Sequence, residues 1–171
     1  QGDIFGKDSP WCAYAACWEL REAMRSGDPE SYETGIPVHM DATCSGLQHF
    51  SAIMRDDVGG LYVNLIDSSD GTKADIYSRV AGAAMDAMMA DIRAGKVDPD
   101  IANFWLQYGV SRSLAKKPVM TYLYGAVQAA ASTYIEDKIA EEGGWPDDFD
   151  RGPACTYMAS KLFHGIEQAV P

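Results

Sequence analysis

The chain has 171 residues, 47% of them hydrophobic and 23% charged, which is enough for one globular domain with its own core. Its formal net charge of −11 argues against a free-standing nucleic-acid binder, since such proteins carry a basic surface. No apolar run reaches the roughly 18–20 residues needed to cross a bilayer, so no membrane contact is expected.

Apolar residues recur with helical spacing along most of the chain, and Gly, Ser and Asp mark where these stretches stop. Residues 36–41 alternate and predict a short strand, and residues 61–66, after the helix-breaking pair Gly59-Gly60, predict an extended segment. The expected fold class is therefore mostly α with a short β element. Helices are expected over residues 11–25, 44–56, 73–93, 101–108, 111–124, 127–142 and 154–170, with an N-cap within 67–72.

From both ends of the sequence we expect this chain to be a piece of a longer protein. The chain has no initiating Met, its first residues lack the features of a signal peptide, and it stops directly after a helical pattern. The four cysteines form no C-x-x-C pair and no spacing with histidine that suits zinc. We expect them to be reduced core thiols of a cytoplasmic protein.

Asp41 is the first candidate for chemistry. It ends the predicted strand and precedes a Cys-Ser-Gly turn into a helix. A carboxylate at the mouth of a strand–turn–helix unit can hold Mg²⁺ near substrate phosphates. The alternative is that Asp41 only caps the following helix.

The second candidate is the pattern R-x3-K-x7-Y-G, formed by Arg112, Lys116, Tyr124 and Gly125. With Met120, the two cations are spaced i, i+4, i+8 and share one helix face. Two cations one turn apart can hold neighbouring phosphates, and a tyrosine ring can stack on a base. The alternative is a solvated basic helix face followed by a core tyrosine.

Three further features are less specific. Tyr77 and Asp75 lie near the start of a predicted helix, where they either reach the site or serve the structure alone. His49 is expected to be a hydrogen-bonded structural histidine. Pro118 lies inside the helix predicted over 111–124 and is expected to bend it, since it cannot donate a hydrogen bond to Leu114.

Taken together, these motifs resemble those of the phage-type (T7-like) single-subunit DNA-directed RNA polymerases. Residues 37–50 (PVHMDATCSGLQHF) resemble motif A of that family, and residues 110–125 (VSRSLAKKPVMTYLYG) resemble motif B. The resemblance extends to Trp11-Cys12, to RDDVGG at 55–60 and to YMASKL at 157–162, so it covers nearly the whole chain. The amino-acid sequences of these motifs are closer to those of bacteriophage enzymes than to those of mitochondrial enzymes.

The resemblance implies catalytic roles. Asp41 is expected to bind both Mg²⁺ ions, with the carbonyl of Ala42 as a further ligand. Arg112 and Lys116 are expected to bind the triphosphate, and Lys116 is also the expected general acid. The implied reaction is attack of the RNA 3′-hydroxyl on the α-phosphate of an NTP, organised by two metal ions.

The resemblance also implies how the substrate is selected. Tyr124 is expected to help select ribose over deoxyribose, and Tyr77 is expected among the substrate-binding residues. The related family A DNA polymerases share the R-x3-K-x7-Y-G pattern, but they have in common a Glu at the position where this chain has Gly46. They also usually carry Phe where it has Met120. Gly46 leaves room for the ribose 2′-hydroxyl, so both positions favour ribonucleotides.

The implied fold is part of a right-hand polymerase, with residues 1–70 in the palm and 71–171 in the fingers. The expected partners are template DNA, nascent RNA and NTPs, and the parent protein is expected to be a monomer in the cytoplasm of an infected bacterial host. The family takes a second catalytic Asp from a His-Asp-Ser hairpin, which this sequence lacks, so we expect the chain alone to be inactive. The alternatives are a fragment of a family A DNA polymerase and a non-catalytic helical module that binds nucleic acid or protein.

Overall fold

The computed structural model of the chain describes residues 9–37, 42 and 44–169. All seven helices expected from the sequence are present in these ranges, and one further helix, α3, follows α2. The α-helices are α1 (Pro10–Arg25), α2 (Ser45–Met54), α3 (Asp57–Tyr62), α4 (Ile76–Arg93), α5 (Pro99–Tyr108), α6 (Arg112–Tyr122), α7 (Gln128–Glu141) and α8 (Arg151–Ala169), with a 3₁₀ helix at Pro29–Ser31. No helix within the described ranges has both the length and the apolarity to cross a membrane.

The chain divides into two compact units, Gln1–Asp41 and Ala42–Pro171. In the first unit, Pro10 occupies the first turn of α1, where its missing N–H costs no hydrogen bond. The hydroxyl of Thr34 donates to a carboxylate oxygen of Glu19 at 2.9 Å and ties the following loop to α1. The assignment of residues 1–70 to a palm and 71–171 to fingers stays a prediction.

Side-chain caps define where four helices of the second unit begin. The side chains of Asp56, Asp75, Asp98 and Ser111 each accept a hydrogen bond from a backbone N–H in the first turn of α3, α4, α5 and α6. The cap at Ser111 confirms the sequence-based expectation. Helix α4 begins after Asp75, however, and not within the loop at 67–72 where its cap was expected.

Helix α8 is the centre of the second unit, because it packs against α4, α6 and α7. The indole N–H of Trp105, on α5, donates to the carbonyl of Ala154 at 3.1 Å and joins that helix to the same core. Burial of each large apolar side chain stabilises such a core by about 1.5–3 kcal/mol. The buried positions of α8 are Ala154, Cys155, Met158, Ala159, Leu162, Phe163, Gly165, Ile166 and Ala169.

The expected short β element is wrong, since the described residues contain no strand. Ile36 forms a bend and Pro37 has no regular structure, while residues 38–41 lie outside the described ranges. A strand is stable only when a neighbouring strand accepts and donates its backbone hydrogen bonds. No described segment offers such a partner, and Pro37 has no N–H to donate.

The pair Gly59-Gly60 lies inside α3 and does not end a helix. Both glycines are buried, and a Cβ on Gly59 would collide with the side chain of Ser51 on α2. The backbone N–H groups of Leu65 and Ile66 donate to the Gly60 carbonyl and form a turn. The extended segment expected over residues 61–66 is therefore wrong, because the end of α3 and this turn occupy it.

Helix α8 lies very close to α4 at Gly165. A Cβ on Gly165 would lie 2.8 Å from the backbone oxygen of Val80, which cannot move without disturbing α4. We expect Gly165→Ala to lower the free energy of unfolding by about 1–3 kcal/mol, the usual cost of an overpacked core. Urea unfolding of the 171-residue chain, followed by circular dichroism, measures this change.

Gly82→Ala is the matched control, because Gly82 lies on the exposed side of α4 with open space around it. That substitution is expected to stabilise the chain by about 0.5–1 kcal/mol, since alanine is the better helix former. Equal effects of the two substitutions would contradict the role given to Gly165.

Candidate active site

Helix α6 presents a cationic stripe on its exposed face, as the spacing predicts. Arg112, Lys116 and Met120 are exposed and one turn apart. The opposite face holds the buried residues Leu114, Ala115, Pro118 and Val119. The stripe therefore lies on the side of α6 that faces away from the core.

Pro118 does not end α6, which runs from Arg112 to Tyr122. Its ring is buried against the core, so the proline contributes apolar area although it removes one backbone hydrogen bond. The hydroxyl of Thr121 donates to the carbonyl of Lys117 at 2.9 Å on the same stretch of helix. The cationic stripe thus lies on one continuous helix, and the motif B tyrosine, Tyr124, follows the end of that helix.

The two adjacent lysines of α6 have different surroundings. The ammonium group of Lys117 lies 4.5 Å from the ring centroid of Tyr134 on α7, a cation–π contact. Lys116 lies on the stripe with Arg112, and no carboxylate in the described ranges forms an ion pair with it. Lys116 therefore shares the exposed stripe with Arg112, while Lys117, which is also exposed, contacts Tyr134.

Arg112 connects α6 to the start of α4. Its Nε donates to Oδ2 of Asp75 at 2.7 Å, and its guanidinium carbon lies 5.0 Å from the ring centroid of Tyr77. The Arg112 side chain is still 52% exposed. Partial burial alone would raise the pKa of Asp75, but hydrogen bonds from Ser78 and Arg112 outweigh it and hold that pKa below its usual value.

Tyr77 links this cluster to the beginning of α2. Its ring is 4% exposed, and its hydroxyl interacts with the side chain of Cys44, the residue that precedes α2. Burial, together with the contact to Cys44, raises the pKa of Tyr77 to about 12, so the hydroxyl stays protonated at neutral pH. Cys44 itself has a φ of 57°, the left-handed region that costs energy for a residue with a side chain. Whether Tyr77 also binds substrate stays a prediction.

Motif A and motif B meet at Gly46, in the first turn of α2. A Cβ on Gly46 would lie 3.4 Å from the hydroxyl oxygen of Tyr124 and 3.3 Å from a methyl carbon of Leu123. Tyr124 follows the end of α6 and is 74% exposed. The residue expected to leave room for a ribose hydroxyl is thus directly beside the tyrosine expected to examine the ribose.

Asn64 holds the residue before Asp75 in place, a role that was not expected from the sequence. Asn64 forms two hydrogen bonds with the backbone of Ala74, one to its carbonyl and one from its N–H, both at 2.8 Å. Asn64 has a φ of 58°, a conformation that asparagine tolerates better than most residues. The tolerance of asparagine for this conformation was the signal in the sequence that a turn residue lies here. The sequence does not reveal that its partner is Ala74, ten residues away.

The expected metal ligands are only partly described. Asp41 lies outside the described residues, so its ligation of Mg²⁺ stays a prediction, and Ala42 is exposed. In the described ranges no group of three or more His, Cys, Asp or Glu side chains is arranged to hold a metal ion. Asp75, which lies beside the stripe, already accepts three hydrogen bonds and is not a spare ligand.

The sequence as a whole matches a family profile described as DNA-dependent RNA polymerase, over residues 3–171. The chain belongs to this family. The arrangement of Gly46, Tyr124, Arg112 and Lys116 is therefore that of a segment of a DNA-dependent RNA polymerase.

Similar RNA polymerases come from phages and from mitochondria. The DNA-directed RNA polymerase of Pseudomonas phage phiKMV is 44% identical over 168 residues, which cover 96% of this chain and 20% of that protein. The mitochondrial DNA-directed RNA polymerase of Schizosaccharomyces pombe is 37% identical over 159 residues, 93% of this chain and 13% of that protein. The mitochondrial enzyme of Mus musculus is 33% identical over 162 residues, 94% of this chain and 13% of that protein. The chain thus spans a small part of the length of these relatives.

The ion pair between Asp75 and Arg112 predicts an effect of pH on the stability of this RNA polymerase segment. Folding lowers the pKa of Asp75. The contribution of the ionised carboxylate to the free energy of unfolding is therefore fully present above the unfolded pKa of about 3.9, and it is lost as pH falls through the lower folded pKa. We expect Asp75→Asn to cost about 0.5–1 kcal/mol near neutral pH. Urea unfolding at several pH values measures the difference between the two proteins, which should shrink below about pH 4. A difference that does not change with pH would contradict this account.

Proposed function

We propose that this chain is part of the catalytic region of a DNA-directed RNA polymerase, which joins NTPs into RNA on a DNA template. The substrates and partners of the parent enzyme would be NTPs, template DNA and nascent RNA. The parent would act as a monomer, and the identity shared with a phage enzyme favours the cytoplasm of an infected bacterium as its location.

The observation that best supports this proposal is the contact between Gly46 and Tyr124. These residues are far apart in sequence, yet a Cβ on Gly46 would lie 3.4 Å from the Tyr124 hydroxyl oxygen, so a larger side chain here would lie against that hydroxyl. A ribose 2′-hydroxyl placed there would find a hydrogen-bonding partner in the tyrosine and no bulky side chain against it. The exposed Met120, one turn before Tyr124, is the second position that favours an RNA polymerase over a family A DNA polymerase.

The cationic stripe supports the binding of the triphosphate. Arg112 presents a planar guanidinium that matches two phosphate oxygens, and Lys116 adds a compact positive charge one turn along. A cation at this position neutralises the charge that builds up on the leaving pyrophosphate. We propose that Lys116 also gives a proton to that group as general acid, and that Tyr77 belongs to the same binding surface.

The two metal ions would be held by the carboxylate of Asp41 and the carbonyl of Ala42, together with a second carboxylate from the parent enzyme. When bound, Mg²⁺ would activate the RNA 3′-hydroxyl and neutralise the phosphates. Since this chain contains no His-Asp-Ser sequence, we propose that it is inactive alone. Residues 1–70 would belong to the palm and 71–171 to the fingers of the parent.

The two lysines of motif B test the assignment of the general acid. In the full-length polymerase, Lys116→Ala is expected to lower kcat by about 10²–10⁴-fold, the usual contribution of a positioned acid. Lys117→Ala is the matched control, since Lys117 packs on Tyr134 and should affect stability more than rate. Single-turnover incorporation of an NTP opposite a DNA template measures both variants, and equal losses would reject the assignment.

Tyr124→Phe tests the proposed selection of ribose. Loss of the hydroxyl is expected to reduce the preference for NTPs over dNTPs by about tenfold, the worth of one hydrogen bond. Tyr122→Phe makes the same change on a ring that packs edge-on against Phe163 in the core, 5.2 Å between centroids. The ratio of kcat/KM for GTP and dGTP measures the preference. If both variants keep the original ratio, Tyr124 does not select the sugar.

A further inference from the structure

Asp75 accepts hydrogen bonds from two different parts of the fold. Its Oδ1 accepts from the backbone N–H of Tyr77 at 3.2 Å and so caps α4. Its Oδ2 accepts from the Ser78 hydroxyl at 2.6 Å and from Nε of Arg112 at 2.7 Å. The cap needs only the first of these bonds, so the second oxygen is available to hold Arg112.

The contact with Asp75 uses the part of Arg112 that a triphosphate needs least. Of the five N–H groups of a guanidinium, the bond to Asp75 occupies the one on Nε and leaves the four on the terminal nitrogens. The ring of Tyr77 lies near one face of the same group. A long, flexible side chain is thereby held in place while its phosphate-binding edge stays open.

The carboxylate is itself fixed by its neighbours in the chain. The residue before it, Ala74, is bound on both its N–H and its carbonyl by Asn64. The residues after it form the first turn of α4, whose inner face is buried from Ile76 onward. Asp75 therefore has little freedom to move with Arg112, and it can act as a fixed support.

We propose that Asp75 is a positioning residue for substrate binding: it orients the guanidinium of Arg112 toward the triphosphate of the incoming NTP. This inference rests on the proposed function, since it assumes that Arg112 binds the triphosphate. Orientation in advance lowers the entropy lost on binding, so its main effect is on substrate affinity. The chemical step is left to other residues.

The simpler interpretation is that Asp75 only caps α4, and the chain contains a matched case of that kind. Asp98 caps α5 by accepting from the N–H groups of Asp100 and Ile101, at 2.9 and 3.4 Å. In the described ranges no cation forms an ion pair with Asp98. A comparison of the same substitution at Asp75 and Asp98 separates positioning from capping.

The experiment uses Asp75→Asn in the full-length polymerase, because asparagine keeps the cap but has no charge to hold Arg112. We expect KM for the NTP to rise about tenfold while kcat stays within about twofold, as for a lost charged hydrogen bond. Asp98→Asn should leave both constants unchanged. If Asp75→Asn does not fold, Asp75→Ser, another capping residue without charge, replaces it with the same expected outcome.

The substitution is then repeated in an Arg112→Ala background. If Asp75 acts through Arg112, Asp75→Asn adds no further rise in KM there. Two outcomes would overturn the inference and leave the proposed function intact. In the first, Asp75→Asn raises KM equally in both backgrounds. In the second, Arg112→Ala raises KM but Asp75→Asn does not. If Arg112→Ala itself leaves KM unchanged, the role proposed for Arg112 is wrong and the inference fails with it.

Discussion

The close packing of α8 against α4 is the constraint on which the rest of the second unit depends. At Gly165 the two helices are so near that a single added methyl group would press on the backbone of Val80. Helix α8 also packs against α6, so it contacts both helices that carry the candidate site, α4 and α6. Because α4 carries Asp75 and Tyr77 while α6 carries Arg112 and Lys116, a shift at this contact would move the two halves of the site apart.

A chain of polar contacts then joins motif A to motif B across that framework. It runs from Cys44 at the start of α2 to the hydroxyl of Tyr77, and from α4 to Arg112 on α6. Gly46 and Tyr124 form a second junction between the same two motifs. The residue that we propose tests the sugar and the residue that we propose binds phosphate are therefore held by neighbouring supports.

Much of this arrangement could be predicted from local patterns. The spacing of Arg112, Lys116 and Met120 correctly indicated one exposed helix face, and Ser111 was recognisable as a cap, because both depend on residues within a few positions. The β element was predicted wrongly because alternation in a short segment does not supply a partner strand. Gly59 was misinterpreted for a similar reason, since its close contact with Ser51 cannot be distinguished locally from a helix stop.

The sequence by itself determined the family, seven of the eight described α-helices and the residue types of the candidate site, because motif order and helical periodicity are properties of the linear chain. Only the tertiary structure decided which of these residues support one another. It assigned Lys117 to Tyr134 and left Lys116 on the open stripe, and it gave Asp75 a partner on a helix that begins 37 residues later. Such pairings arise from the packing of distant helices around α8, and no local pattern in the sequence encodes them.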